Sequence, residues 1–189
     1  MSGNGAVNHY LDLMDAQREA IFLRLASLDE PHLWQRPKPK TWSVGETLDH
    51  TRVLLRTFRR LLQILYPLLM PWGWLLRRRP YPTEMDNVYE RPSFPNTVGW
   101  LFAPRYTPQR PASLAELSAL VESEHDRVRA FYLSKDERVL GHVWLYDPAI
   151  GWINMIQALR IGVYHDQHHY DIIERRLDQR EADSSMARK

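Results

Sequence analysis

Two histidines four residues apart, His165 and His169 in the run Tyr164-His165-Asp166-Gln167-His168-His169-Tyr170, are the residues of this chain best placed to do chemistry. In a helix one turn separates them, and their Cα atoms stand roughly 6 Å apart along the axis. Side chains at that spacing leave the same face, which is the geometry two imidazoles need to share one metal ion. Such pairs also occur on solvated faces, so the neighbours carry the argument. Ile161, His165, His169, Ile172 and Arg176 follow 4-4-3-4 spacing, which puts both histidines on a stripe with apolar residues. Two imidazoles facing a core need partners, because an unpaired buried polar group costs about 1–3 kcal/mol. A shared cation would satisfy both.

His50 is the natural third ligand. It shares the line Thr47–Leu54–Phe58–Leu61 on another helical stretch and so faces inward by periodicity. A lone His on an apolar face is more commonly a satisfied core residue. Two such lines on two helices of one bundle shift the balance towards a metal, since bundle metal sites are built from facing helices. Three His ligands would leave a coordination position open for water or substrate, the pattern of a catalytic site. His168 reads as a flanking residue, although it could approach the same ion. Glu46, Asp49 and Asp166 adjoin the ligands and could orient an imidazole, or be ordinary helix carboxylates. His9, His32, His125 and His142 show no usable mutual spacing and read as surface or structural residues.

The composition narrows the chemistry further. The chain has 189 residues, 44% hydrophobic, enough for a sizeable core in one domain. With no Cys there are no disulfides, thiolate metal sites or Cys nucleophiles, and a reducing compartment such as the cytoplasm is expected. Charge is nearly balanced, 25 Lys+Arg against 23 Asp+Glu, which argues against a nucleic-acid binder. No signal peptide is visible at the N-terminus. The apolar run Leu61–Leu76 is short of the roughly 20 residues of a membrane span and holds Pro67, Pro71 and Gly73. Arg77, Arg78 and Arg79 follow it, so a membrane-surface anchor is weighed against a helix end with a buried connection. No dinucleotide fingerprint, P-loop, nucleophile elbow or H-E-x-x-H motif is present.

The elements that must position the histidines read as four helices. Val7, Tyr10, Met14, Ile21, Leu25 and Leu28 mark an amphipathic first helix. Ser43 and Glu46 form an S-x-x-E capping box that opens a second, expected to end at Pro67. Its inward positions would be Thr47, His50, Leu54, Phe58, Leu61 and Leu65. Ser113 and Glu116 repeat the box before a third helix, which runs to about Leu133. A fourth follows Pro148 and carries Ile153, Ile156, Leu159, Val163, Ile172, Ile173 and Leu177. Nine of the thirteen prolines fall between Pro67 and Pro111, so residues 67–112 read as a long irregular connection. No segment shows strand alternation. The expected fold is all-α: one four-helix-bundle domain over residues 1–178, with a long crossover between helices two and three and a fraying tail at 179–189. Trp34, Trp42, Trp72, Trp74, Trp100, Trp144 and Trp152 read as bundle caps and pocket walls.

With these residues in view, the chain resembles the DinB-like (YfiT-type) family of metal-dependent enzymes. Thr41-Trp42-Ser43-Val44-Gly45-Glu46-Thr47-Leu48-Asp49-His50 is similar to the family's W-S-x-x-E-x-x-x-H entry to helix two. Asp147-Pro148-Ala149-Ile150-Gly151-Trp152-Ile153-Asn154 resembles its P-x-x-G-x-x-N lead into the last helix, and His165 to His169 its closing H-x-x-x-H. Each motif is short, and only their combination, from about residue 6 to 178, is specific. The resemblance implies a divalent metal, commonly Ni, Zn or Fe, held by His50, His165 and His169. It also implies thiol-dependent chemistry among relatives: transfer of a low-molecular-weight thiol to an electrophile, or isomerisation. Family members often carry Gln three residues after the last ligand His, where this chain has Ile172.

The expectation is therefore a metal-dependent enzyme in which a three-His centre activates a water or thiol for hydrolysis or transfer on a small-molecule substrate. Arg77–Arg79, Arg105 or Arg110 are candidates to meet an anionic substrate. The alternative is a non-catalytic protein of the same fold that binds a metal or small ligand. Imidazole ligands suit Zn, Ni, Fe and Cu alike and do not choose among them. The Trp72–Trp74 region offers an apolar face for a homodimer.

Overall fold

A computed structural model of the chain describes residues 5–91, 94, 113–148 and 150–186. Trp100, Arg105 and Arg110 lie outside these. Four long helices dominate: α1 (Gly5–Leu25), α3 (Val44–Leu76), α4 (Leu114–Leu133) and α6 (Met155–Met186). Two short helices, α2 (Glu30–Trp34) and α5 (Glu137–Leu140), a 3-10 turn at Val88–Glu90 and a hairpin of β1 (Trp144–Asp147) and β2 (Gly151–Asn154) connect them. Each long helix packs on two others, α1 on α6 and α4, and α3 on α4 and α6. The helices thus close a ring in which α1 and α3, successive in the chain, lie on a diagonal. By the same ring α4 and α6 form the other diagonal, while the long crossover joins the neighbours α3 and α4; the four-helix bundle expected from the sequence is the observed fold.

The helix starts follow local chemistry. Ser43 and Glu46 form a full capping box, with Ser43 Oγ accepting the Glu46 N–H at 3.1 Å and the Glu46 carboxylate accepting the Ser43 N–H at 2.9 Å. Ser113 Oγ caps α4 in the same way at 3.1 Å. Asn154 Oδ1 accepts the N–H groups of Ile156 and Gln157 at 3.0 and 2.9 Å, and so opens α6.

Three expectations are corrected. Helix α3 does not stop at Pro67 but runs through it and Pro71 to Leu76. Both prolines lie on the exposed side, where water can take the carbonyls they free, while Leu62, Tyr66, Leu69 and Met70 keep the inner side packed on the core. The irregular crossover accordingly starts after Leu76 rather than at 67. The buried stripe of α3 is Leu48–Leu55–Leu62, and Leu61 is 48% exposed, so the inward line drawn through Leu54, Phe58 and Leu61 is rotated from the real one. Second, Ile153 belongs to a strand. The hairpin pairs Trp144 with Asn154 and Tyr146 with Trp152, turning at Gly151, whose φ of 100° suits glycine. Each strand has only four residues, too few for alternation to show, and the pair of Tyr146 and Trp152 rings (5.5 Å apart) supplies side-chain packing between them. Third, α6 runs on past 178 to Met186, where Arg24 of α1 pairs with Asp178 and Glu181.

Two apolar clusters fill the bundle. One gathers Met14, Leu55, Val128 and Val163 with Tyr132, Met155 and Ile156; the other gathers Ile21, Leu48, Val121 and Tyr170 with Leu25, Leu117 and Ile173. Between them every long helix places buried polar residues: Arg18 on α1, Thr51 and Arg52 on α3, Glu124 and His125 on α4, His165 and Asp166 on α6. A polar layer therefore crosses the core at one level. No helix among the described residues is long and apolar enough to cross a membrane.

Candidate metal centre

His50 stands in the second turn of α3, where every residue from Val44 to Arg52 is buried. The capping box fixes the start of that turn, and Arg36 clamps Glu46 from the connection before it with contacts of 2.5 to 3.1 Å. Trp34 covers the same turn so closely that a Cβ at Gly45 would meet its ring at 2.7 Å, which is why glycine is needed there. His165 and His169 rise from α6, whose starting point is set by the hairpin and the Asn154 cap.

These elements bring together the three histidines that the sequence singled out. One ring nitrogen from each of His50, His165 and His169 lies within 4.8 Å of the others. His50 Nε2 and His165 Nε2 are 3.2 Å apart. Two nitrogens bound at about 2.0–2.1 Å to one tetrahedral metal ion stand roughly 3.3–3.4 Å apart, so this pair already has the separation a shared ion requires. The Nδ1–H of His165 donates to Asp166 Oδ1 at 3.0 Å, which leaves its Nε2 lone pair free for a cation or for a proton from His50. Burial, then the neighbouring His165 and His50, holds the His169 imidazolium far below its ordinary pKa, so that ring is neutral at physiological pH. A donor set of three imidazole nitrogens fits a divalent transition metal.

Aromatic walls close the cluster. The Trp42 ring lies 4.7 Å from that of His50 and 6.4 Å, stacked, from that of His169. Tyr89, in the 3-10 turn of the crossover, lies 6.0 Å from the His165 ring and stacks on His168 at 4.9 Å. Burial, and then the charges of Asp166 and Asp147, push the Tyr89 phenol well above its ordinary range, so it stays protonated. His168 stands outside the three-nitrogen group. Glu46 is engaged by the cap and by Arg36, and Asp49 pairs with Arg52 at 2.6 Å; Asp166 is bonded to a ligand imidazole, that of His165. Arg77–Arg79 lie some 27 residues beyond His50, about 40 Å along α3, too far to meet a substrate at the histidines.

The sequence reading missed what lies behind Asp166. His125 is buried, with its Nε2 3.8 Å from Asp166 Oδ2 and its Nδ1 3.4 Å from Asp15 Oδ1. Arg129 and Arg18 close on Asp15 at 2.6 and 3.1 Å. A chain of paired polar groups thus runs from a proposed ligand through the polar layer to α1. A signal for it existed: His125 takes an apolar-phase position of α4, four residues after Val121 and three before Val128.

Two outcomes are expected from this chain. Asp166→Asn removes the charge that strengthens His165 as a donor, and metal affinity should fall about 10–100-fold in a competition titration with a chromophoric chelator. An unchanged affinity would show that Asp166 does not serve the ligand. Asp15 is held down to about 2 from the ordinary 3.8, first by His125, then by Arg129 and Arg18, against an opposing effect of burial. Its folded pKa is depressed, so its contribution to stability is present above about pH 4 and lost as pH falls towards 2. Acid unfolding of Asp15→Asn should therefore show a flatter stability curve over that window, and parallel curves for both proteins would exclude the effect.

A four-helix bundle with a long crossover and a three-imidazole cluster between α3 and α6 defines the class of protein. The model of the DinB superfamily matches residues 13–173, and the chain belongs to that superfamily. The fold is shared with YfiT from Bacillus subtilis, described as a probable metal-dependent hydrolase with an unusual four-helix bundle topology. The two agree with a TM-score of 0.60 over 91% of this chain and 87% of that one, at 14% sequence identity. No protein of curated function matches the chain in sequence.

Proposed function

We propose that the chain is a metal-dependent enzyme in which His50, His165 and His169 hold one divalent ion, Ni, Zn or Fe, and a small-molecule substrate is hydrolysed or receives a thiol. The observation that carries this reading is the three-imidazole group itself: one nitrogen from each ring within 4.8 Å, two of the rings buried, and one of them tied to Asp166. A divalent ion in that site would supply an electrophile and lower the pKa of a water or thiol towards neutrality. The chain does the rest. Asp166 fixes the tautomer and direction of His165, and Trp42 and Tyr89 shield the rings from bulk water. His169 is the half-buried member of the three and borders a cavity of about 190 Å³, through which substrate reaches the site.

The test is turnover by metal-loaded protein on a panel of esters, amides and phosphoesters, and on electrophiles offered with cysteine-, glutathione- and mycothiol-type thiols. Turnover that chelation abolishes and metal restores is the expected result. Full metal occupancy with no reaction across the panel would point instead to a protein that binds without catalysis.

A further inference from the structure

Beside His169 the cavity of about 190 Å³ is lined by Trp42, Ile172, Thr41 and Thr47 together with the cationic residues Arg176 and Lys40. No carboxylate lines it. Arg176 is half-buried, and its Nη1 donates to the Trp42 carbonyl at 2.8 Å, which anchors the guanidinium and leaves most of its five donors uncommitted. Among the described residues no Asp or Glu forms an ion pair with Arg176 or Lys40. Burial without a balancing charge lowers the Arg176 pKa, an arrangement that costs free energy in the empty protein. Helical side chains lean towards the N-terminus, so Arg176, two turns after His169 on the same stripe, extends back towards the ligand. Ile172, between the two, is apolar and makes no competing hydrogen bond.

We infer that this cavity seats the substrate and selects a small molecule with a terminal oxyanion, carboxylate or phosphate, which Arg176 grips while Lys40 guards the mouth. Arg suits this task because its planar fork matches the two oxygens of either group. A volume of about 190 Å³ corresponds to roughly six water molecules, enough to seat a short acid. The inference rests on the metal reading for the chemistry at the far end of the cavity. The recognition of the anion is this chain's own, and it replaces Arg77–Arg79 in the role the sequence offered them.

The experiment uses Co(II)-loaded protein and four hydroxamates of equal length, whose tails end in carboxylate, phosphonate, carboxamide or ammonium. Binding is read from the visible Co(II) spectrum. The carboxylate or phosphonate compound should bind at least about tenfold more tightly than the carboxamide, and the ammonium compound most weakly. Whichever of the two anions binds better identifies the oxyanion. Arg176→Gln should erase most of that preference while leaving Co(II) content and the carboxamide's affinity unchanged; Lys40→Gln, at an exposed site, should erase less. Equal affinities for all tails, a preference that survives Arg176→Gln, or Co(II) uptake with no response to any hydroxamate would each overturn the inference. If Co(II) does not bind, the metal reading fails on its own. The same compounds titrated calorimetrically against metal-free protein then decide the cavity: an anion preference that depends on Arg176 sustains it, and none overturns it.

Discussion

Protein purified without a metal-binding tag should carry about one divalent ion per chain, and His50→Ala or His165→Ala should each carry none. The two histidines come from different helices, and their Nε2 atoms are 3.2 Å apart, so deleting either leaves two donors where three are needed to hold an ion strongly. The loss should be accompanied by little change in helical content, because Leu48, Leu55, Val163 and Tyr170 above and below the layer still pack. Metal should also stabilise the wild type alone. At an ion concentration about 100 times Kd the gain is about 2.7 kcal/mol. For a chain of 189 residues that is a rise of roughly 5–10 °C in Tm. Elemental analysis beside thermal melts with and without chelator measures both effects. A wild type that takes up no Ni, Zn, Fe or Mn would leave the fold untouched and remove the proposed activity. Retention of a full ion by His50→Ala would move the site elsewhere.

Glu124→Ala should be among the most damaging single changes away from the histidines, at about 3–5 kcal/mol. Glu124 and Arg59 join α4 to α3 inside the polar layer at 3.1 Å, with side chains only 4% and 10% exposed. Removing the carboxylate strands a buried guanidinium whose Nε already has no partner and whose remaining bond is to Gln63. Arg127, the other partner of Glu124, is on the surface and can turn to water. Tm should fall by roughly 6–20 °C. The paired replacement Arg59→Met with Glu124→Leu should recover most of the loss, since the cost lies in the unpaired charge rather than in a missing bond. Urea melts of the wild type and the two variants decide the matter. A loss below about 1 kcal/mol for Glu124→Ala would mean that water reaches Arg59 and the layer is wetter than it looks.

The sequence alone determined the existence of the four helices, the caps at Ser43 and Ser113, and the three histidines. These are local matters. A capping box acts over three residues and an i,i+4 pair over four, so spacing along the chain is enough to read them. The sequence did not settle where α3 stops. Pro67 and Pro71 carry a local cost, and packing of the inner face against the rest of the bundle outweighed it. Nor did it show the hairpin before α6, whose short strands hold because their side chains pair across it.

The tertiary structure alone decided which polar residues meet. His125, 40 residues before His165 in the chain, stands behind its Asp166; Tyr89 comes from the crossover to wall the same ring; and Lys40 and Arg176 converge on one cavity. Such pairings depend on the order of helices round the ring. With α1 and α3 on a diagonal, α4 and α6 bring His125 and Asp166 within reach while α3 supplies His50 from the other side. Periodicity states which face of a helix is buried. Which other face it meets, and so which charges must balance in the core, is settled only when the helices pack.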